Sequence, residues 1–390
     1  EQARLWCRRL AYCNTALFRK MASMPEFGGF PDLPSLNEDN LVGDMAKLTR
    51  NGFPSNDPNV TMNCPPWWRV FIDGYGGQMS LGGESLEGAV GAYLFVCCST
   101  GSSDVRLYAS HLQFPIALHQ FLCRVEAEHF RCHVCYVDTH SVNLSQDVEE
   151  VLALFKCVIV PVSAGTPQEM AFAESMVRTV RRMSTAMMEG APHLQANRWA
   201  LCDKYACYVH DFMPVSTRRF LPPYTLRTGR AVPWDILSIH VMGAPVMYSP
   251  MGGAIHKRAA ITEEGVFMGI QWPAALVERK SDKKVLSVSR KKIRVYESAY
   301  LGPLNQKVPF AGEIPNTLEE CKDDFVASGE NVGGDESSCE VSAPAGAKPA
   351  LDRNMVQSIK GLREHRFHLP GSRAEAIPTS RIEEPAAAEY

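Results

Sequence analysis

The run His133-Val134-Cys135-Tyr136-Val137-Asp138 is a stretch of strand length that ends on an acid. It lies between two segments of helical pattern, Pro115 to about Phe130 before it and Ser145 to Phe155 after it. A further apolar run, Cys157 to Val162, follows the second helix, and Pro167 then opens a long helical pattern that reaches about Met188. Apolar runs of strand length alternating with helical patterns are the signature of a mixed α/β layer fold, in which each element buries its apolar face against its neighbours.

Working outward, Arg69 to Asp73, Ala92 to Cys98 and Val105 to Ala109 are three consecutive candidate strands separated by Gly/Ser turns, which predicts an antiparallel meander. The full order is strand, strand, strand, helix, strand, helix, strand, helix, the element order of a ribonuclease H-like mixed-sheet core, assigned to residues 65–225. Ahead of it, residues 1–58 hold one amphipathic helix, with Leu5, Leu10, Leu17 and Met21 on one face, and then a Gly/Pro/Asn-rich loop. Residues 191–224 carry a further helical pattern. Residues 235–300 return to short β runs broken by Gly and Pro, which predicts a small C-terminal β-barrel. Residues 301–390 are rich in Gly, Ser, Pro, Ala and acid with few aromatics, the composition of a disordered tail.

The 390 residues carry 45% hydrophobic and 21% charged side chains, ordinary globular usage that excludes wholesale disorder. The formal charge of −3 gives no global positive field, so nucleic-acid binding has to come from local basic patches. The longest apolar stretch, Gly88 to Cys98, is too short to cross a bilayer, and no membrane partner is expected. The chain starts at Glu1 without a basic-then-apolar leader and reads as a piece of something longer. Thirteen cysteines, scattered through apolar segments, predict reduced thiols in an intracellular protein. Cys132-His133-Val134-Cys135 is a lone Cys-x-x-Cys and is expected to supply core thiols.

Asp73 ends its strand in Val70-Phe71-Ile72-Asp73-Gly74 as Asp138 ends the strand quoted first, each acid standing where the core gives way to solvent. Acids after strands are also common turn residues, so neither is decisive by itself. Glu174 lies about two turns into the helix that begins at Pro167. Arg178, Arg181 and Arg182 follow it at i+4, i+7 and i+8, which places three cations along the same helical face. Phosphodiester chemistry uses two divalent ions roughly 4 Å apart, and three carboxylates from two strands and a helix can hold them. Hard carboxylate oxygens suit Mg²⁺, or Mn²⁺, without histidine or thiol.

Three stretches together resemble the integrase region of a copia-type LTR retrotransposon Pol polyprotein. They are Thr166-Pro167-Gln168 followed by Ala173-Glu174, Met176, Arg178 and Thr179; Asp73-Gly74; and Glu84-Ser85-Leu86 with Gly88-Ala89 and Tyr93 to Val96. The resemblance covers about Arg4 to Tyr300. It maps the family's three catalytic acids onto Asp73, Asp138 and Glu174, and implies Mg²⁺-dependent DNA cleavage and strand transfer. At the amino end, Leu5 to Leu10 and Pro31 to Pro34 resemble the family's pre-integrase zinc module, but the four ligand positions hold Cys7, Tyr12, Asn37 and Asn40. Zinc is not expected there, since a closed site needs four ligand-type residues.

Between Ile239 and Tyr296 the chain is similar to the family's SH3-like domain. Glu278 to Arg294 holds eight Lys/Arg, among them Lys283, Lys284, Arg290, Lys291, Lys292 and Arg294, against Glu278 and Asp282. This surplus is expected to grip the DNA backbone without sequence preference, together with Arg178, Arg181 and Arg182. Donor and target DNA, a homo-oligomer and a nuclear site of action are what the resemblance implies. A second class is a DNA-binding relic that keeps the fold without the chemistry. It is suggested by the replaced zinc ligands and by Asp138-Thr139-His140-Ser141-Val142-Asn143 standing in place of the family's Asp-Asn-Gly-Gly-Glu-Phe.

Overall fold

The first sheet is built around strand β1 (Arg69–Gly76), flanked by β2 (Gly91–Cys97) on one side and β4 (Val134–Asp138) on the other. The structure is a computed structural model and describes residues 1–34, 36, 64–76, 84–85, 88–138, 145–162, 167–234, 237–249 and 262–298, apart from the side chains of 167–170. With β3 (Ser103–Tyr108) and β5 (Val158–Val162) the strand order is β3-β2-β1-β4-β5. β1, β2 and β3 pair antiparallel, the expected meander, whereas β1, β4 and β5 pair parallel, so the sheet is mixed.

The sheet is covered on both faces, which is why β2 is buried at every position and reads as a continuous apolar run rather than an alternating one. Val70, Ile72, Tyr93 and Phe95 point to one face, where they meet α3 (Phe114–Ala127) and α4 (Gln146–Phe155). Phe95 stacks on Phe121 of α3 with ring centroids 4.3 Å apart. The turn before α3 is held by a capping box centred on Ser110: Ser110 Oγ accepts from the Leu112 N–H and Gln113 Oε1 from the Ser110 N–H, satisfying donors that a helix start leaves unpaired. Lys156, left-handed at φ 51°, ends α4 and turns the chain into β5.

Residues of opposite parity, Leu94, Val96 and Val105, face α5 (Pro167–Gly190) and α6 (Trp199–His210). The same core continues into a second, five-stranded antiparallel sheet of order β10-β6-β7-β8-β9. Its strands are β6 (Pro245–Tyr248), β7 (Glu263–Gln271), β8 (Ala274–Arg279), β9 (Val285–Ser289) and β10 (Ile293–Val295). Gly269 lies at φ 112° in the irregular stretch of β7, and a Cβ there would come within 3.1 Å of Tyr205 on α6, so glycine lets strand and helix pack closely. A buried ion pair, Arg198 to Glu278 at 2.6 Å, ties the start of α6 to β8.

The amino-terminal segment departs from the single helix read in the sequence. It forms two, α1 (Gln2–Arg9) and α2 (Leu17–Ser23), because Ala11 and Tyr12 adopt left-handed φ of 54° and 57° and break the repeat. Leu10 and Met21 enter the main core, whereas Leu5 packs separately with Val241 and Ala244. A short helix, α7 (Pro223–Thr228), presents Arg227 to Asp211 at 2.7 Å. The described residues group as one compact unit. The proposed tail, 301–390, and positions Asn37 and Asn40 lie outside the described residues. Among the described residues no helix is long and apolar enough to cross a membrane.

Candidate active site

The last registered pair of β1 and β4 is Ile72 with Val137, so Asp73 and Asp138 each stand one residue beyond it at the same end of adjacent parallel strands. Neighbouring strands lie about 4.8 Å apart, which sets the spacing of the two backbones. Alternation along a strand puts Phe71 and Asp73 on one face of β1, and Tyr136 and Asp138 on the same face of β4. Phe71 and Tyr136 stack with centroids 4.8 Å apart, and both pack with Ala173 and Phe172 of α5. This aromatic floor fixes the height and rotation of the helix over the two strands. Glu174 follows Ala173 directly and is half-buried, as is Asp73, while Asp138 is exposed.

Burial, the Glu174 charge and the Asp138 charge push Asp73 from an ordinary 3.8 up to about 6, against the pull of the Gly74 N–H and of Arg181. A carboxyl disfavoured by like charges is one that gains from a divalent cation, since the cation reverses the local sign. The donors are hard oxygens, the class of ligand that Mg²⁺ and Mn²⁺ take, but among the described residues the group of three metal-type side chains whose donor atoms all lie within 4.8 Å of one another is Cys132, Cys135 and Cys157, not these carboxylates.

The three arginines of α5 diverge. Arg181 lies over the Tyr75 ring at 5.0 Å and its charge reaches Asp73. Arg178 Nε donates to the Glu174 carbonyl oxygen at 3.4 Å. Arg182 turns toward a cleft of about 330 Å³ that it lines with Leu10, Tyr12 and His210. Behind Asp73 lies a pair that sequence reading missed: the Tyr75 hydroxyl donates to Asp203 Oδ2 at 3.0 Å, and burial holds Asp203 up at about 6. The i+2 spacing of Tyr75 from Asp73 signalled the shared face, but nothing local to Asp203 marked it as the partner.

The basic residues of the second sheet form two groups. Lys283 and Lys284 sit at the β8–β9 turn with Glu278 and Asp282 for neighbours, the ammonium groups lying 3.5 and 3.9 Å from carboxylate oxygens. Arg290 lies at the other end of β9, its guanidinium 4.0 Å from the Trp272 ring centre and Nε donating to the Pro273 carbonyl oxygen. Lys291, Lys292 and Arg294 follow it and are exposed. Cys7, the one zinc-type residue in register at the amino end, directs its thiol at the Cys13 carbonyl oxygen, 3.4 Å away.

No protein-family model matches the chain, and no curated protein does. Among solved structures it is similar to a chain in the cryo-EM structure of the simian T-cell lymphotropic virus intasome in complex with PP2A regulatory subunit B56 gamma. The TM-score is 0.36 and the identity 12%, over 60% of this chain and 80% of that one. A likeness at that level leaves the functional reading to the residues.

Proposed function

We propose that this chain is an integrase-like polynucleotidyl transferase of the retrotransposon type. In this reading residues 65–225 are a ribonuclease H-like catalytic core and residues 235–300 an SH3-like nucleic-acid-binding domain. The observation that carries it is the juxtaposition of Asp73 and Asp138 on adjacent parallel strands, with Glu174 of the covering helix close enough to help raise Asp73. The mixed strand order, a meander followed by two parallel strands with helices between, supports the fold assignment.

Asp73, Asp138 and Glu174 would hold Mg²⁺ or Mn²⁺. When bound, a pair of such ions stabilises negative charge on the attacking and departing oxygens of an in-line displacement. The reaction joins a donor-strand 3′-hydroxyl oxygen to a target phosphorus and breaks the bond from that phosphorus to the target's 3′ oxygen. The attacking hydroxyl loses its proton to solvent and the departing oxygen gains one. Arg181 limits the mutual repulsion of the acids, and the exposed Lys291, Lys292 and Arg294 attract the phosphate backbone. Self-association and action on nuclear DNA belong to the same reading.

The test is strand transfer of a 3′-hydroxyl donor oligonucleotide into plasmid DNA, with Mg²⁺, by the full chain. Wild type is expected to join the strands, while Asp73→Asn, Asp138→Asn and Glu174→Gln lose at least about a hundredfold with DNA binding retained, as removal of a main electrostatic group does. An inert wild type that still binds DNA, or activity that survives Asp138→Asn, overturns the catalytic reading.

A further inference from the structure

At the end of the sheet opposite the carboxylates, three thiols meet. Cys132 precedes β4, Cys135 lies within it and Cys157 precedes β5, and because β4 and β5 run parallel their amino-terminal ends lie together. The Sγ···Sγ distances are 3.6 Å for Cys132–Cys135, 3.6 Å for Cys135–Cys157 and 3.8 Å for Cys132–Cys157. All three are buried, at 3%, 0% and 7% relative exposure, within the core that also holds Val125, Val137 and Phe155.

Contact distance by itself suits three packed thiols as well as three ligands. Two further features point to a metal. Cys132 and Cys135 have the two-residue spacing by which one turn of chain places two thiolates on a single ion, and the third sulfur converges on the same point from a different strand. The sulfurs also face one another, each within 3.8 Å of the other two, although two of them reach carbonyl oxygens as well, Cys132 to Val134 at 3.7 Å and Cys157 to Val158 at 3.8 Å, within range for weak S–H donors. A tetrahedral centre with Zn–S of about 2.3 Å has S···S edges of about 3.8 Å, which this triangle matches with little movement. Three soft donors select zinc over magnesium. The neighbouring His133 is engaged elsewhere, its ring stacked on Trp68 at 3.5 Å.

We propose that Cys132, Cys135 and Cys157 bind one Zn²⁺ per chain as its three protein ligands. Binding replaces three S–H bonds by three Zn–S bonds and releases three protons to solvent. The ion clamps the roots of β4 and β5 and so steadies the strand that carries Asp138. This site is separate from the amino-terminal module whose zinc ligands are replaced, and it stands whether or not the carboxylates are catalytic.

The test titrates the reduced, chelator-stripped full chain with Co²⁺ under anaerobic conditions. The expected result is saturation at one Co²⁺ per chain, with visible bands of a tetrahedral thiolate centre that Zn²⁺ abolishes. Cys132→Ser and Cys157→Ser are expected to lose the bands, while Cys202→Ser, a buried thiol of α6 outside the cluster, keeps them. X-ray absorption of the unsubstituted zinc-loaded chain needs no variant to fold and is expected to show three sulfurs in the zinc shell. Absence of the cobalt bands in wild type, their survival in both cluster variants, or a zinc shell of other than three sulfurs overturns the proposal.

Discussion

Arg9 and Glu297, 288 positions apart in sequence, meet at 2.6 Å and tie the first helix to the segment after the last strand of the second sheet. Glu297 also accepts from the Val241 N–H at 2.8 Å and pairs with His240 at 3.1 Å. Burial pushes its carboxyl up, but the hydrogen bonds and charges of His240 and Arg9 outweigh it and hold the group at about 2, against an ordinary 4.5.

A carboxylate depressed by folding contributes stability above its unfolded pKa and loses it as pH falls through the folded one. The window for Glu297 is therefore about pH 4.5 down to about 2, and the shift corresponds to roughly 3 kcal/mol. Glu297→Gln is expected to lower the unfolding free energy at pH 7 by about 2–4 kcal/mol and to flatten its acid limb, as read by urea denaturation across pH.

Asp73 has the opposite sign. Its pKa is raised by folding, so its contribution is full below about 3.8 and is lost as pH rises through about 6. In chelator at pH 8, Asp73→Asn is expected to stabilise the chain by as much as about 3 kcal/mol. Added Mg²⁺ should raise the melting temperature of wild type more than that of the variant. A variant no more stable than wild type in chelator contradicts the crowding of charge at this site.

The two basic groups should behave differently on DNA. Alanine at Lys291, Lys292 and Arg294 is expected to reduce the slope of log K against log salt by about 1 for each phosphate that is no longer neutralised. Alanine at Lys283 and Lys284 should change the slope less, because Glu278 and Asp282 already neutralise them in part. Filter binding across a salt series measures both.

The buried Arg198–Glu278 pair gives a separate check on the packing of α6 against the second sheet. Arg198→Met leaves Glu278 without its closest cation and is expected to cost about 3–5 kcal/mol, with much of that recovered in the double variant Arg198→Met/Glu278→Leu. Chemical denaturation of the single and double variants reads the difference.

The places of Asp73 and Asp138 on their strands were legible in the sequence because an acid after an apolar run marks the end of a strand whichever way the sheet is wired. The place of Glu174 two turns into a helix was legible from Pro167 and the pattern after it. The features that escaped depend on tertiary register. Nothing around Cys157 links it to Cys132 and Cys135 until β4 and β5 pair in parallel. The break at Ala11 and Tyr12 depends on left-handed backbone that neither residue type announces, so apolar spacing alone made two helices look like one. Arg182 lies 80° from Glu174 on an ideal helix at about 100° per residue, close enough to count as one face in sequence. In the fold that angle is wide enough to aim it at a different cleft.

The most direct test of the central claim is a crystal structure of the full chain with donor DNA and Mn²⁺, read by anomalous diffraction. Two manganese peaks roughly 4 Å apart, each touching carboxylate oxygens of the Asp73, Asp138 and Glu174 set, are the predicted result. Side chains pointing apart, with no manganese between them, would contradict it.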